Sequence, residues 1–302
     1  MKHMVYLLTL IILGTAAPRG TAVDYEHLIL DKINAYRSGA GLAPVRLDES
    51  LSGACALHAR YITSNDVPMN VDFAPHDENP RYPGYTVRGK KAAENSIIIS
   101  TVEPDAAVDY WMGTTFHRIP ILAPGLKSIG AGNSRGGRYG SATVVDIFSD
   151  AGPADRDTVV YPGPDRENVP LGFGLMGKGV TITEHPDPMP DDADKVAGYP
   201  VTATFARSQK VTGAAARLTD EKGKTVPVWV YSPERPAYDR DTQQNTITII
   251  PRDYLLPDTR YTVKVEAVVD GMKWREQWNF KTMKKADPVE RKGGKAKKKK
   301  LK

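Results

Sequence analysis

The hydrophobic period of the chain changes near residue 198, and this change limits what each half can fold into. In the first half, apolar residues recur at helical spacing over residues 24–37 and 49–65. Residues 198–283 instead alternate apolar and polar side chains in short runs separated by turn residues. The sequence therefore predicts an α+β chain, in which a small all-β antiparallel sandwich follows a domain of helices and strands.

Hydrophobic cores have to stabilise both parts, because Cys55 is the only cysteine of the 302 residues. One cysteine cannot form an internal disulfide. It lies within the helical pattern of residues 49–65, so we expect a buried, inert thiol.

The two ends of the chain have compositions of their own. Residues 1–22 join a short positive start, an apolar run and small residues, which predicts a signal peptide and a secreted or cell-envelope protein. Residues 284–302 hold ten lysines and arginines against two acidic residues, and we expect a disordered tail. The formal net charge of +5 comes from this tail, which has no aromatic residue, so specific nucleic-acid binding is not predicted.

Between these ends the pattern predicts the order of the elements. The composition of residues 65–92 predicts a long loop, and a short strand or turn is expected over 94–99. Pro104 begins a helix that the pattern continues to Ile119. Residues 151–197, rich in proline, glycine and aspartate, are predicted to connect a first domain (24–150) to the β-sandwich.

Three polar residues in separate segments are the candidate functional residues: His76, Glu94 and His117. Two imidazoles and a carboxylate can ligate a divalent metal such as zinc, or move a proton. A buried hydrogen-bonded network is an equally consistent interpretation. The chain lacks the helical pair of histidines typical of zinc proteases. Arg118, the neighbour of His117 in the predicted helix, is expected to face solvent or a carboxylate.

The order of several motifs resembles the bacterial branch of the CAP superfamily, which includes cysteine-rich secretory proteins, venom antigens and plant pathogenesis-related proteins. The resemblance runs from Leu28 to Phe148 and is carried by the segments LILDKINAYRSGAGLAPVRLDESLSGACALHARYI, PHDENP, AAENSII and AAVDYWMGTTFHRIPILAPGLKSIGAG.

This resemblance implies a three-layer α-β-α sandwich with a cleft that holds two histidines and two acidic residues. His76, Glu94 and His117 match three of these four positions. Thr114 stands where some members have the second acidic residue, and Ala93 replaces a glycine before Glu94. The implied cleft therefore contains His76, Glu94, His117 and Thr114, with the first three as candidate metal ligands and the catalytic residues unassigned.

A second resemblance concerns residues 198–283. The segments ARLTDEKGKTVPVWVYSP and LLPDTRYTVKVEA are similar to bacterial immunoglobulin-like or fibronectin-like modules. The cysteine pair of antibody domains is missing, so only the sandwich architecture is implied.

Three functions are consistent with these observations. The first is a secreted protein whose cleft binds a small, lipid-like ligand, as the CAP resemblance implies. The second is a metal-dependent hydrolase that uses His76, Glu94 and His117. The third is an envelope adhesion or structural protein whose lysine-rich tail binds an anionic surface polymer. The missing protease signature favours a protein that is not an enzyme. No apolar run after the signal peptide is long enough to span a membrane.

Overall fold

A computed structural model describes residues 24–100, 103–152, 158–173, 175–176, 180–181, 184–190 and 197–284. The expected signal peptide lies outside these residues, as does the lysine-rich tail after Lys284. Both therefore stay predictions. Within the described residues, no helix has both the length and the apolar character needed to cross a membrane.

Helices dominate the first half of the described chain. They are α1 (Tyr25–Gly39), α2 (Glu49–Asn65), α3 (Val87–Glu94), α4 (Pro104–Gly113) and α5 (Arg118–Ile121), with a short 3₁₀ helix at Ala74–His76. Asp48 is the N-cap of α2, and its carboxylate accepts the backbone N–H of Leu51 at 2.9 Å.

The interval 65–92 is more ordered than the loop predicted from its composition. Helix α3 begins inside it, where the Thr86 hydroxyl accepts the backbone N–H of Gly89 at 2.8 Å. This single capping bond is a weak signal in a segment rich in turn residues, so the sequence pattern missed the helix.

The helix predicted from Pro104 to Ile119 is also wrong in its length. It ends at Gly113, and α5 begins only at Arg118. The Thr114 hydroxyl donates to the Trp111 carbonyl at 2.9 Å, and the Thr114 backbone is extended. Side-chain bonds of this kind compete with helical ones, and here they leave His117 in the break between two helices.

The first sheet has the strand order β1-β3-β4-β2. Its strands are β1 (Arg46–Leu47), β2 (Ser96–Ser100), β3 (Ser128–Arg135) and β4 (Ser141–Asp146). Strand β1 is parallel to β3, whereas β2 and β3 both pair with β4 in the antiparallel direction. Helix α2 packs on β3 and β4, and helix α1 packs on α4 and β3.

Successive residues of β2 join different hydrophobic clusters. Ile97 and Ile99 belong to the cluster that contains Ile33 of α1 and Trp111 of α4. Ile98 belongs to the cluster that contains Cys55 of α2. This alternation follows from the two-residue period of a strand, and it makes the sheet contact helices through both faces.

The second half of the chain is a β region with two main sheets. Their strands are β5 (Thr158–Tyr161), β6 (Arg166–Val169), β9 (Val201–Phe205), β10 (Val211–Asp220), β11 (Thr225–Val226), β12 (Val228–Tyr231), β13 (Thr246–Pro251), β14 (Arg260–Val269) and β15 (Met272–Thr282). The sheet orders are β11-β10-β14-β15-β6 and β12-β13-β9-β5. A small hairpin of β7 (Leu175–Met176) and β8 (Val180–Thr181) precedes β9, and helix α6 (Arg240–Gln243) precedes β13.

Strands β5 and β6 lie in the segment 151–197, which the sequence predicted as a connection. Strand β5 pairs with β9, and β6 pairs with β15 in the parallel direction. Each of these strands has four residues and lies among prolines and glycines, so composition alone does not predict it. The segment thus contributes edge strands to both sheets of the β region.

Arg118 joins the two halves of the molecule instead of facing solvent or a carboxylate. Its side chain is fully buried and donates to the carbonyls of Met112 and Pro200. The guanidinium carbon also lies 5.0 Å from the ring centre of Tyr161 and 4.5 Å from that of Tyr199. Backbone carbonyls and aromatic faces replace a counter-ion here, which is an arrangement suited to a planar guanidinium.

Candidate functional site

His76 is the last residue of the 3₁₀ helix, and a hydrogen bond through Nδ1 holds its ring. This nitrogen donates to the Ala93 carbonyl at 3.1 Å. Burial lowers the pKa of His76 to about 4. The imidazole is therefore neutral near pH 7, with its proton on Nδ1 and a lone pair left on Nε2.

A buried histidine–carboxylate pair supports the segment that carries His76. The His58 ring lies 2.9 Å from a Glu78 oxygen through Nδ1 and 2.7 Å from the Pro75 carbonyl through Nε2. Neither His58 nor Glu78 has measurable side-chain exposure. The pair holds Pro75, and so His76, against helix α2.

His117 lies in the break between α4 and α5, and an acidic residue from far along the chain holds it. Its Nδ1 is 2.7 Å from an oxygen of Glu184. The same carboxylate accepts the backbone N–H of Thr115 at 2.8 Å and that of His117 at 2.9 Å. Glu184 is only 1% exposed. Three hydrogen bonds thus satisfy a buried carboxylate and turn His117 Nε2 away from it.

Thr114 is fully buried, and its hydroxyl lies 3.3 Å from His117 Nδ1. It therefore contacts the same ring nitrogen as Glu184, and it bonds the Trp111 carbonyl at 2.9 Å. Its contacts are those of a residue that orients His117.

Glu94 is the last residue of α3 and differs from the two histidines in its environment. Its side chain is 52% exposed and lies 3.1 Å from Lys90 Nζ, which also contacts the Asp77 carboxylate. Glu94 nonetheless lines the same cavity as His76 and His117. The structure brings the three residues to one cleft, with Glu94 at its exposed side.

Two cavities meet at the histidines. The smaller has a volume of about 290 Å³, and the larger of about 420 Å³. Four residues line both: Phe73, His76, His117 and His185. The smaller cavity has mainly apolar walls, which include Met69, Val71, Ile98 and Ile99. The larger one extends to residues 239–244 of the β region.

The arrangement does not fit a metal held by three protein side chains. Among the residues that the structure describes, no group of three or more histidine, cysteine, aspartate or glutamate side chains is placed to hold a metal ion. Each histidine keeps Nε2 available, but the buried carboxylate beside His117, that of Glu184, already accepts two backbone N–H groups. A structural or catalytic zinc site needs at least one further protein ligand beyond two imidazoles.

Two residues with potential nucleophiles are also accounted for. Burial raises the pKa of the Cys55 thiol to about 12, and its sulfur accepts the backbone N–H of Asp146 at 3.3 Å. This agrees with the inert thiol expected from the sequence. Ser96 lines the larger cavity, but its hydroxyl donates to the Ala92 carbonyl at 2.5 Å.

Sequence reasoning missed Glu184. It lies in a segment with the composition of a linker, and the chain has 36 acidic residues that could approach His117. The sequence offers no local signal that distinguishes it from the others, because its partners lie 67 and 69 positions away.

Comparisons with known proteins find a sequence match in the first half of the chain. Residues 30–148 match the sequence model of CAP, the cysteine-rich secretory protein family. Glu184 lies outside this match, whereas His76, Glu94, Thr114 and His117 lie within it.

The relatives are distant. YkwD, an uncharacterized protein of Bacillus subtilis (strain 168), is 28% identical over 125 residues, which are 39% of this chain and 45% of that protein. The chain thus spans less than half the length of this curated relative.

Two solved structures are also similar. An outer surface protein from Borrelia burgdorferi has a TM-score of 0.31 and 17% identity, over 39% of this chain and 87% of that one. An extracellular protein with a SCP domain from Bacillus anthracis str. Ames has a TM-score of 0.31 and 18% identity, over 41% of this chain and 40% of that one.

Proposed function

We propose that this protein works outside the cytoplasm and binds a small, lipid-like ligand in the cleft at His76 and His117. The apolar cavity of about 290 Å³ beside these histidines is the observation that carries the proposal. Ligand sites are typically apolar concave volumes with a few polar groups that set orientation. The secretory description of the matching family and the signal-peptide pattern of residues 1–22 support the extracytoplasmic location.

The same proposal extends to the architecture. We take residues 24–150 as a three-layer α-β-α CAP domain, which the contacts of both sheet faces with helices support. The β region is proposed to be an immunoglobulin-like module that supports one end of the cleft.

A hydrolase that uses a metal at His76, Glu94 and His117 is less well supported, because the described residues include no group of three such side chains placed around one metal ion. Both imidazoles are held through Nδ1 and present Nε2, and they are proposed to orient the polar end of a ligand by hydrogen bonds.

Binding of 1-octanol, measured by isothermal titration calorimetry, tests the proposed function. Val71 lines the apolar cavity and is 52% exposed, so Val71→Glu places a charge in the cavity wall without disturbing the core. We expect octanol affinity to fall by about tenfold or more, since a charge facing an apolar ligand loses its hydration.

Val87→Glu is the matched control, because Val87 is 75% exposed and begins helix α3, where an acidic residue is favourable. This variant should bind octanol as the unaltered protein does. No octanol binding by the unaltered protein, or an equal loss in both variants, would contradict the proposed cleft.

A further inference from the structure

The larger cavity is formed by the first half of the chain together with the β region. The residues that line its 420 Å³ include His76, Glu94 and His117 from the first half, and Asp239, Asp241 and Gln244 from the β region. The family match ends at residue 148, so the second wall belongs to a part of the chain outside it. We call this cavity the head chamber.

The wall from the β region is held in place by its own contacts. Helix α6 has a capping box, in which the Asp239 carboxylate accepts the backbone N–H of Thr242 at 2.8 Å. Gln243 is fully buried and donates to the Thr246 carbonyl at 2.8 Å, which joins α6 to strand β13. Tyr238 lies against Phe73 across the cleft, with ring centres 6.0 Å apart. The wall is therefore a fixed part of the chamber.

Carboxylates outnumber lysines and arginines among the residues that line the chamber. Three carboxylates line it, and the described residues that line it include neither lysine nor arginine. Glu94 is paired with Lys90 and Asp239 with Thr242. The Asp241 carboxylate makes no hydrogen bond or ion pair within the described part of the chain. A chamber of this kind attracts a cation and repels an anion.

Aromatic rings add a second reason to expect a cation. Phe73, Phe116 and Phe148 line the chamber beside the carboxylates. The faces of aromatic rings attract organic cations, and quaternary ammonium groups are often bound by such rings together with acidic residues. Neutral polar groups would gain less from the same surroundings.

The chamber and the apolar cavity share Phe73, His76, His117 and His185, so one ligand can extend across both. We propose that the cleft binds an amphiphile with a cationic head, whose apolar part lies in the smaller cavity and whose head lies between Glu94 and Asp241. This inference rests on the proposed function and narrows its ligand class.

Three probes with the same chain and different heads test the inference: octyltrimethylammonium, octanoate and 1-octanol. Their affinities are measured by calorimetry below the micelle concentrations. We expect octyltrimethylammonium to bind about tenfold or more tightly than octanoate, with octanol between them.

Asp241→Lys reverses one charge on the wall from the β region. The variant should bind octyltrimethylammonium about tenfold more weakly and octanoate more tightly, and its affinity for octanol should be unchanged. Asp31→Lys is the control, because Asp31 is exposed on α1 and lines neither cavity. Circular dichroism checks that both variants are folded.

The outcomes separate the two proposals. Failure of all three probes to bind the unaltered protein would overturn the proposed function and this inference together. Octanoate binding as tightly as the cation would overturn the cationic head but leave the lipid-like cleft standing. If the Asp241→Lys variant keeps the full preference for the cation, the β region is not part of the binding site.

Discussion

Glu184 is the residue whose contacts the sequence pattern describes least well. It satisfies two backbone N–H groups and the Nδ1 of His117 with one buried carboxylate. The chain around Thr114 cannot close into a helix there, so these N–H groups need an acceptor from elsewhere. The acidic residue beside His117 thus comes from a position beyond the family match.

Replacing Glu184 with alanine should destabilise the protein by about 3 kcal/mol, because it leaves buried donors without an acceptor. Urea unfolding measures the change in the free energy of unfolding. Glu94→Ala is the comparison, since a half-exposed ion pair contributes about 1 kcal/mol or less. Equal losses in the two variants would show that Glu184 is not held as described.

At the scale of elements, the packing of helix α2 on strand β3 depends on glycine. A Cβ at Gly132 would lie 2.3 Å from the Ala56 nitrogen and 2.5 Å from the Cys55 carbonyl carbon. Both atoms belong to the backbone of α2, so neither can move without the helix. Gly130 meets the backbone of Leu51 at 2.4 Å in the same way. The Ile-Gly-Ala-Gly segment therefore permits a close approach between a helix and a sheet.

We expect Gly132→Ala to lower the free energy of unfolding by about 3 kcal/mol, as overpacking pushes α2 from the sheet. Gly53→Ala makes the same chemical change on the exposed side of α2, where the nearest atom is the end of the Arg88 side chain at 3.3 Å. It should stabilise the protein by about 1 kcal/mol or less, because alanine favours helices. Thermal and urea unfolding should give opposite signs for the two variants. Two changes of the same sign would contradict the packing.

At the scale of the whole molecule, one hydrophobic cluster runs from the first half into the β region. It contains Ile33 and Trp111 together with Tyr199, Val263 and Phe280. Arg118 lies at this junction, and the Tyr199 hydroxyl donates to the Met112 carbonyl at 2.8 Å. The residue after His117 thus links the cleft to the β region.

The boundary of the β region can be tested with two fragments. A fragment of residues 158–284 keeps β5 and β6, whereas a fragment of 197–284 loses both edge strands. The shorter one also loses the Pro162 carbonyl that accepts Trp278 Nε1 at 2.8 Å. We expect cooperative urea unfolding only for the longer fragment. Equal urea midpoints for the two fragments would support a β domain that begins near residue 198, as the sequence predicted.

Local patterns determined much of this protein from the sequence alone. Helices α1 and α2 can be read from the sequence through their caps and apolar spacing. Strands β13 and β14 can be read from their alternation of apolar and polar residues. Each of these signals depends on neighbouring residues. The segments that carry His76, Glu94 and His117 were identified by their type and order.

The tertiary structure decided the rest, since it depends on contacts between distant residues. The backbone N–H groups of Thr115 and His117 at the break between α4 and α5 donate to Glu184, and the Arg118 side chain donates to the Pro200 carbonyl, so both arrangements depend on partners that no local period encodes. Glu184 and the chamber wall from the β region belong to segments outside the family match. These segments contact the cleft because the two halves share a core. A hydrophobic period reports which face of an element is buried, but which side chains meet across the core is decided by packing.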